Sequence, residues 1–398
     1  MARSADAIIN PELLVWARES IGLSLEIAAK KIGINEERLT KWERGEERPT
    51  VKQLKKAANV YKRPFTVFYL NEPPTDFQAL KDYRKLPASE RGPHSPELNV
   101  DIRKARLRRE LALEMIEYLD YNIPTPKLLT EGITRKPEAI AKAIRDDIGI
   151  SLSEQFDWDD PSKTFKGLRK KIQDKGILVF VTSDISFEEM RGYSISEFPL
   201  PVIVINSKDY SYRGRTFTLI HELAHIYLNR GGLCNLEARS TRHQYERETE
   251  IRCNEVAGNF LVPTEAFLQE PIISSKGFSV NWNEEEITAL SNKYGVSSEV
   301  ILRRLLELGH TTSEFYQSKR NEFLKAYKQF RDNQKERRKE YTGGPPYATR
   351  VAYSLGDFYI SMGLESYYSE YITSRDLSDY LGVRLKHIHD IEEKVYQY

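Results

Sequence analysis

Residues 215–232 read RTFTLIHELAHIYLNRGG. Within this apolar run stand two imidazoles and a carboxylate: His221, Glu222 and His225. Burying a polar group without a partner costs roughly 2–7 kcal/mol. Any fold of this chain must therefore close a polar site around that turn. The spacing i, i+4 sets His221 and His225 on one helical face, close enough to share one ion. His-Glu-x-x-His on a helix is the zincin pattern, in which the histidines bind zinc and the glutamate acts on the zinc-bound water. The bland alternative is a pair of hydrogen-bonded core histidines beside a surface acid.

Two ligands do not hold a catalytic zinc, and a third protein ligand is required. The segment ETEIRCNEVAGNFLVP offers Glu250, 25 positions beyond His225, with Asn254 one turn later. Glu250 is the expected third ligand. Asn254 is the expected partner that orients a histidine through a hydrogen bond. Glu248 lies on another face and is the weaker choice. His243, in the polar stretch between, is an alternative ligand or an oxyanion donor. Runs of strand length and composition precede the histidine helix: GILVFV (176–181), YSIS (193–196) and PVIVIN (201–206). An edge strand at that position would pair with an extended substrate.

The rest of the chain gives the setting. At 398 residues it exceeds one comfortable core, so two or three domains are expected. With 30% charged and 40% apolar residues, the composition suits a globular chain rather than a disordered one. No apolar run approaches the roughly 20 residues of a membrane-spanning helix, and the first residues lack the pattern of a secretory signal. Two cysteines, Cys234 and Cys253, are too few for a disulfide framework. A cytoplasmic protein without membrane association is the expectation.

The first 70 residues read as short helices with capping signals. Asn10 and Pro11 open PELLVWARES; Ser24 and Gly33 bracket SLEIAAKKIG; Asn35 and Gly45 bracket NEERLTKWERG; Thr50 opens TVKQLKKAANVYKRP. A short helix, a turn at Gly33 and a second short helix have the shape of a helix-turn-helix. This stretch holds 13 Lys and Arg against 9 Asp and Glu, hence +4. In such a module the start of the second helix meets base edges, so Asn35, Glu37, Arg38 and Lys41 are the candidate DNA contacts, with Arg44 and Arg48 for phosphates. Glu36 and Glu37 suit a helix N-terminus but would face an anionic duplex, so a protein-binding helix-turn-helix stays open as the alternative.

The two regions each carry a resemblance. RTFTLIHELAHIYLN followed by EIRCNEVAGNFLVP resembles the ImmA/IrrE family of metallo-endopeptidases, whose members pair a His-Glu-x-x-His helix with a Glu-x-x-x-Asn/Asp helix ending in Leu-x-Pro. The resemblance implies zinc on His221, His225 and Glu250, with Glu222 as general base. Cys253 stands where that family usually has Ala, another small residue. Residues 11–70, through Ala28, Gly33, KWERG, Pro49 and Leu54, resemble the Xre/Cro-type DNA-binding domain.

The expected fold is α+β and mainly helical. It comprises an N-terminal helix-turn-helix (1–73), a linker and helical connector (74–136), a zincin-like metallopeptidase domain with a small sheet (137–310) and a helical C-terminal region (311–398). The domain order resembles regulators of mobile elements and stress responses. It implies a Zn2+ endopeptidase that binds DNA, with a homodimer as one option, and that cleaves a partner repressor or antitoxin-like protein. The rival is a DNA-binding transcriptional regulator whose zinc site is structural or sensory, without peptidase activity.

Overall fold

A computed structural model describes residues 5–74, 95–129, 135–228, 242–277, 279–340 and 343–396, without the side chains of 242–247 and 338–340. Residues 75–94 and 130–134 of the expected linker and connector, Cys234, and the His243 side chain lie outside this description. The described chain is mainly helical and divides into two compact units between Arg106 and Leu107.

The first unit contains α1 (Pro11–Glu19), α2 (Leu25–Ile32), α3 (Glu36–Glu43), α4 (Val51–Tyr61) and the first half of α5 (Pro96–Leu119). Each of α1–α4 begins where a side-chain oxygen accepts a backbone N–H that the helix cannot satisfy itself. These caps are Asn10, Ser24, Asn35 and Thr50. Gly33, at φ 82°, turns the chain from α2 into α3 through the left-handed region that favours glycine. Leu13, Leu14, Ala28, Ile32, Leu39, Trp42, Leu54 and Tyr61 form the core. Arg18 crosses that core's edge: its Nε and Nη2 donate to the two carboxylate oxygens of Glu43 at 2.8 and 3.0 Å, and Nη1 donates to Leu23 O at 3.0 Å.

The second unit is built around a three-stranded sheet. β1 (Leu178–Thr182), β2 (Gly192–Ile195) and β3 (Val202–Asn206) lie in the order β1-β3-β2. β1 runs parallel to β3 with Phe180 beside Val204, and β2 runs antiparallel with Ser194 beside Ile203. β1 and β3 are buried along their whole length, which is why both read as unbroken β-branched apolar runs rather than alternating ones. Before the sheet come α6 (Pro137–Ile148), α7 (Leu152–Asp157) and α8 (Pro161–Gln173); after it come α9 (Tyr212–Tyr227) and α10 (Arg242–Leu261). α9 packs on β2, β3, α8 and α10, and α10 packs on α6. Arg109 of α5 clamps the approach to β3, donating to Leu200 O at 3.0 Å and Pro199 O at 2.8 Å.

α11 (Thr264–Leu268), α12 (Pro271–Ser274), α13 (Glu284–Tyr294) and α14 (Ser298–Glu307) follow, then α15 (Ser313–Glu340), α16 (Tyr347–Leu355), α17 (Asp357–Tyr368), α18 (Ser374–Leu381) and α19 (Ile388–Tyr396). α16 is built into the sheet's surroundings. Ser354 Oγ donates to Val181 O of β1 at 2.7 Å, Arg169 Nη1 of α8 donates to Tyr353 O at 2.7 Å, and Arg215 Nη1 of α9 donates to Tyr353 Oη at 2.6 Å.

Candidate metal centre

α9 presents His221 and His225 towards α10, and α10 returns Glu250. The two imidazole Nε2 atoms lie 3.2 Å apart. Glu250 Oε2 is 3.3 Å from His221 Nε2, and its Oε1 is 3.0 Å from His225 Nε2. All three potential ligand atoms fall within 4.8 Å of one another. Both histidines are buried, and the Glu250 side chain is 15% exposed.

Two nitrogens so close cannot both carry a hydrogen pointed at the other, and Glu250 Oε1 is buried without a hydrogen bond. Two imidazole nitrogens and a carboxylate thus converge on one point. That arrangement fits a cation, and two imidazoles with one carboxylate are the donor set of a catalytic zinc site. Burial favours the neutral acid at Glu250, yet the two facing imidazoles hold its carboxyl well below the usual range. Burial also opposes a charge on His225, but the neighbouring Cys253 thiol, Glu250 and Glu222 together raise its pKa well above the ordinary imidazole value. Burial pushes the Cys253 thiol up, against the pull of His225.

Glu222, one residue on from His221, is 4% exposed. Its Oε2 accepts a hydrogen bond from Ser194 Oγ of β2 at 3.0 Å. β2 is one of the two outer strands of the sheet among the described residues, and it packs on the helix that carries the His-Glu-x-x-His turn. Gly192 makes that approach possible: a Cβ there would sit 2.5 Å from Thr218 Cγ2 and 3.4 Å from Glu222 Cγ. Ser194 was not singled out from sequence. Its signal was available in the alternation of β2, where Gly192 and Ser194, two apart, stand on one face between the larger Tyr193 and Ile195.

Asn254 lies one turn beyond Glu250 and is half-buried, whereas Glu248 is exposed. Neighbouring groups fix both site helices. Arg145 Nη1 donates to Phe260 O at 2.8 Å and Gln155 Nε2 to Leu261 O at 2.9 Å, holding the end of α10. At the end of α9, Tyr227 Oη donates to Asp147 Oδ2 at 2.7 Å. Burial raises the Asp147 pKa, but the bonds from Tyr227, the Lys127 amide and Lys175 outweigh it and leave the acid below its ordinary value.

In the first unit the candidate DNA contacts lie on and after α3. Asn35 is exposed, yet its Oδ1 already accepts the Arg38 N–H at 2.9 Å as the α3 cap. Lys41 Nζ pairs with Glu37 at 2.8 Å, and Arg38 Nε pairs with Glu47 at 2.7 Å while its guanidinium stacks over Trp42. Arg44 is 3.9 Å from Glu46, and Arg48 is exposed. Leu39 and Trp42 are core residues. The α3 cations are thus locally neutralised, and the acids that pair with them come from the same short segment.

Residues 172–306 match the family model described as the IrrE N-terminal-like domain, and residues 14–68 match the one described as helix-turn-helix. The first match contains all three strands, α9 and α10, hence every residue of the candidate centre. No curated protein and no solved structure matches the chain. The chain therefore joins an N-terminal Xre-type helix-turn-helix domain to an ImmA/IrrE-like domain of a metallopeptidase family.

Proposed function

We propose that this protein is a cytoplasmic zinc-dependent endopeptidase coupled to a DNA-binding module, and that it cleaves a partner transcriptional repressor or antitoxin-like protein. The observation that carries this reading is the convergence of His221, His225 and Glu250 beside a buried Glu222 that an edge strand holds by a hydrogen bond. His221, His225 and Glu250 would hold zinc, which would supply Lewis-acid polarisation of the scissile carbonyl and activate water. Glu222 is the general base, placed to accept a proton from water and to return it to the leaving amine. Ser194 Oγ donates to Glu222 Oε2 and so orients the carboxylate. The outer edge of β2 offers backbone groups to an extended substrate, which brings its peptide bond over the α9 turn.

The rival reading, a structural or sensory zinc site in a DNA-binding regulator, has less support. Structural zinc sites are closed by four protein ligands, and the described residues supply three. The test is to incubate purified protein with transcriptional repressors from the same genome and to map new termini by mass spectrometry. One defined cut, abolished by a chelator and restored by Zn2+, is expected. An intact repressor, or a cut indifferent to chelation, would contradict the proposal.

A further inference from the structure

Far along the chain from the metal centre, the second unit carries a patch of exposed tyrosines interleaved with acids. Tyr118 and Tyr371 stack with ring centroids 5.8 Å apart and an interplanar angle of 17°. Glu114 accepts from Tyr118 Oη at 2.7 Å and from Tyr380 Oη at 3.4 Å. Tyr121 donates to Glu365, and Tyr368 donates to Glu392 at 2.6 Å. These contacts tie the end of α5 to α17, α18 and α19 as one surface. Tyr368, Tyr371 and Tyr396 are 60%, 54% and 57% exposed. Single exposed aromatics are ordinary, but a contiguous cluster marks an interaction site.

Charge decides what can cover it. Residues 110–121 and 365–396 together hold 11 Asp and Glu (4 and 7) against 4 Lys and Arg (0 and 4), a balance of −7 in a chain whose total is +1. Nucleic acid and anionic membrane are repelled by such a surface. A second copy of the same face would set −7 against −7. A cationic polypeptide suits it on both counts. Carboxylates attract its charge, and tyrosine faces bind guanidinium and ammonium groups by cation–π contact. A phenol that donates to a carboxylate also has a more electron-rich ring, because hydrogen bonds in series polarise one another. Burial and Glu365 push Tyr121 up to about 12.

We infer that this surface docks a lysine- and arginine-rich face of the protein that the metal centre acts on. The identity of that protein rests on the peptidase reading above; the binding chemistry does not. A DNA-binding repressor necessarily has such a face, namely the one that contacts phosphates. Docking there would engage substrate away from the scissile bond and would compete with the substrate's own DNA.

The test uses the full chain and a fluorescein-labelled arginine-rich 20-residue peptide, roughly the length one interface side spans, read by anisotropy. Wild type should bind it, lose most of the affinity in high salt, and ignore an acidic peptide of equal length. Tyr118→Ser with Tyr371→Ser, and separately Glu114→Gln with Glu365→Gln, should each weaken binding about tenfold, since several weak contacts act together. The carboxylate pair removes no heavy-atom volume, so it decides the matter if the tyrosine variant melts early. Glu222→Gln should bind the peptide as wild type does, which separates docking from cleavage. Equal binding by the carboxylate variant, or equal binding of the acidic peptide, overturns the inference, as would self-association through this face in sedimentation.

Discussion

At the scale of single residues, the candidate centre combines groups that are close in sequence with groups that are not. His221, Glu222 and His225 were legible because one helical turn brings i and i+4 together whatever the rest of the fold does. Glu250 was legible as a buried-side acid on the next apolar helix, but only the packing of α10 on α9 puts its oxygens 3.0 and 3.3 Å from the two imidazoles. Ser194 was not legible as a partner of Glu222, since that bond depends on how a strand lies across a helix 28 positions away. It also gives the sharpest residue-scale prediction. Ser194→Ala removes a hydroxyl that donates to an ionised group, an interaction worth roughly 1.5–3 kcal/mol. We expect kcat for the partner protein to fall about tenfold or more, because 1.4 kcal/mol corresponds to tenfold. Metal content, read by elemental analysis, should not change. An unchanged kcat would show that Glu222 is held by other groups.

At the scale of elements, capping signals located the helices of the first unit well. Asn10, Ser24, Asn35 and Thr50 all stand as N-caps, because a cap is a contact within three residues and the sequence contains both ends of it. β1 and β3 were equally plain, being apolar runs too short and too β-branched for helices, and β2 was read as YSIS (193–196) against the observed Gly192–Ile195. What the pattern concealed is the pairing of charges on α3. Arg38 meets Glu47 across the turn after the helix, and no periodicity announces such a bond. Asn35 illustrates how two roles collide on one side chain. As cap it supports α3, and as candidate base contact it would face DNA. Asn35→Ala should cost about 1 kcal/mol of stability, measured by thermal melting. Asn35→Asp keeps the cap but adds negative charge, so melting should hold while DNA affinity drops. If the Asp variant binds DNA as tightly as wild type, α3 does not read the duplex, and the helix-turn-helix serves a protein partner.

At the scale of the whole chain, the matched domain and the folded unit have different extents. The IrrE N-terminal-like match ends at residue 306, yet α16 bonds to β1, α8 and α9 through Ser354 and Tyr353. α15 joins in as well, with Tyr327 Oη donating to Asp209 Oδ1 at 2.7 Å. Phe180 of β1 meets Tyr359 of α17 edge-on at 5.5 Å. These contacts span more than a hundred positions, which is why the C-terminal helices read from sequence as a separate region with no stated task. Ending the chain after residue 340 should strip cover from β1 and take away the Tyr353 carbonyl to which buried Arg169 donates. We expect that truncation to be insoluble or to melt far below the full chain. A soluble fragment with full metal content and activity would show instead that the last helices only decorate the core.

The central claim is that Glu222 does chemistry at a metal held by its neighbours rather than filling space beside it. Glu222→Gln tests this most directly, since the amide keeps the size and can still accept from Ser194 but cannot take a proton from water. Purified wild type and variant would be compared for bound zinc and for cleavage of the partner repressor in the same samples. The account predicts equal zinc in both and a loss of cleavage in the variant of roughly 10²–10⁴-fold, the usual contribution of a general base. Cleavage by the variant at the wild-type rate, with zinc still bound, would contradict it.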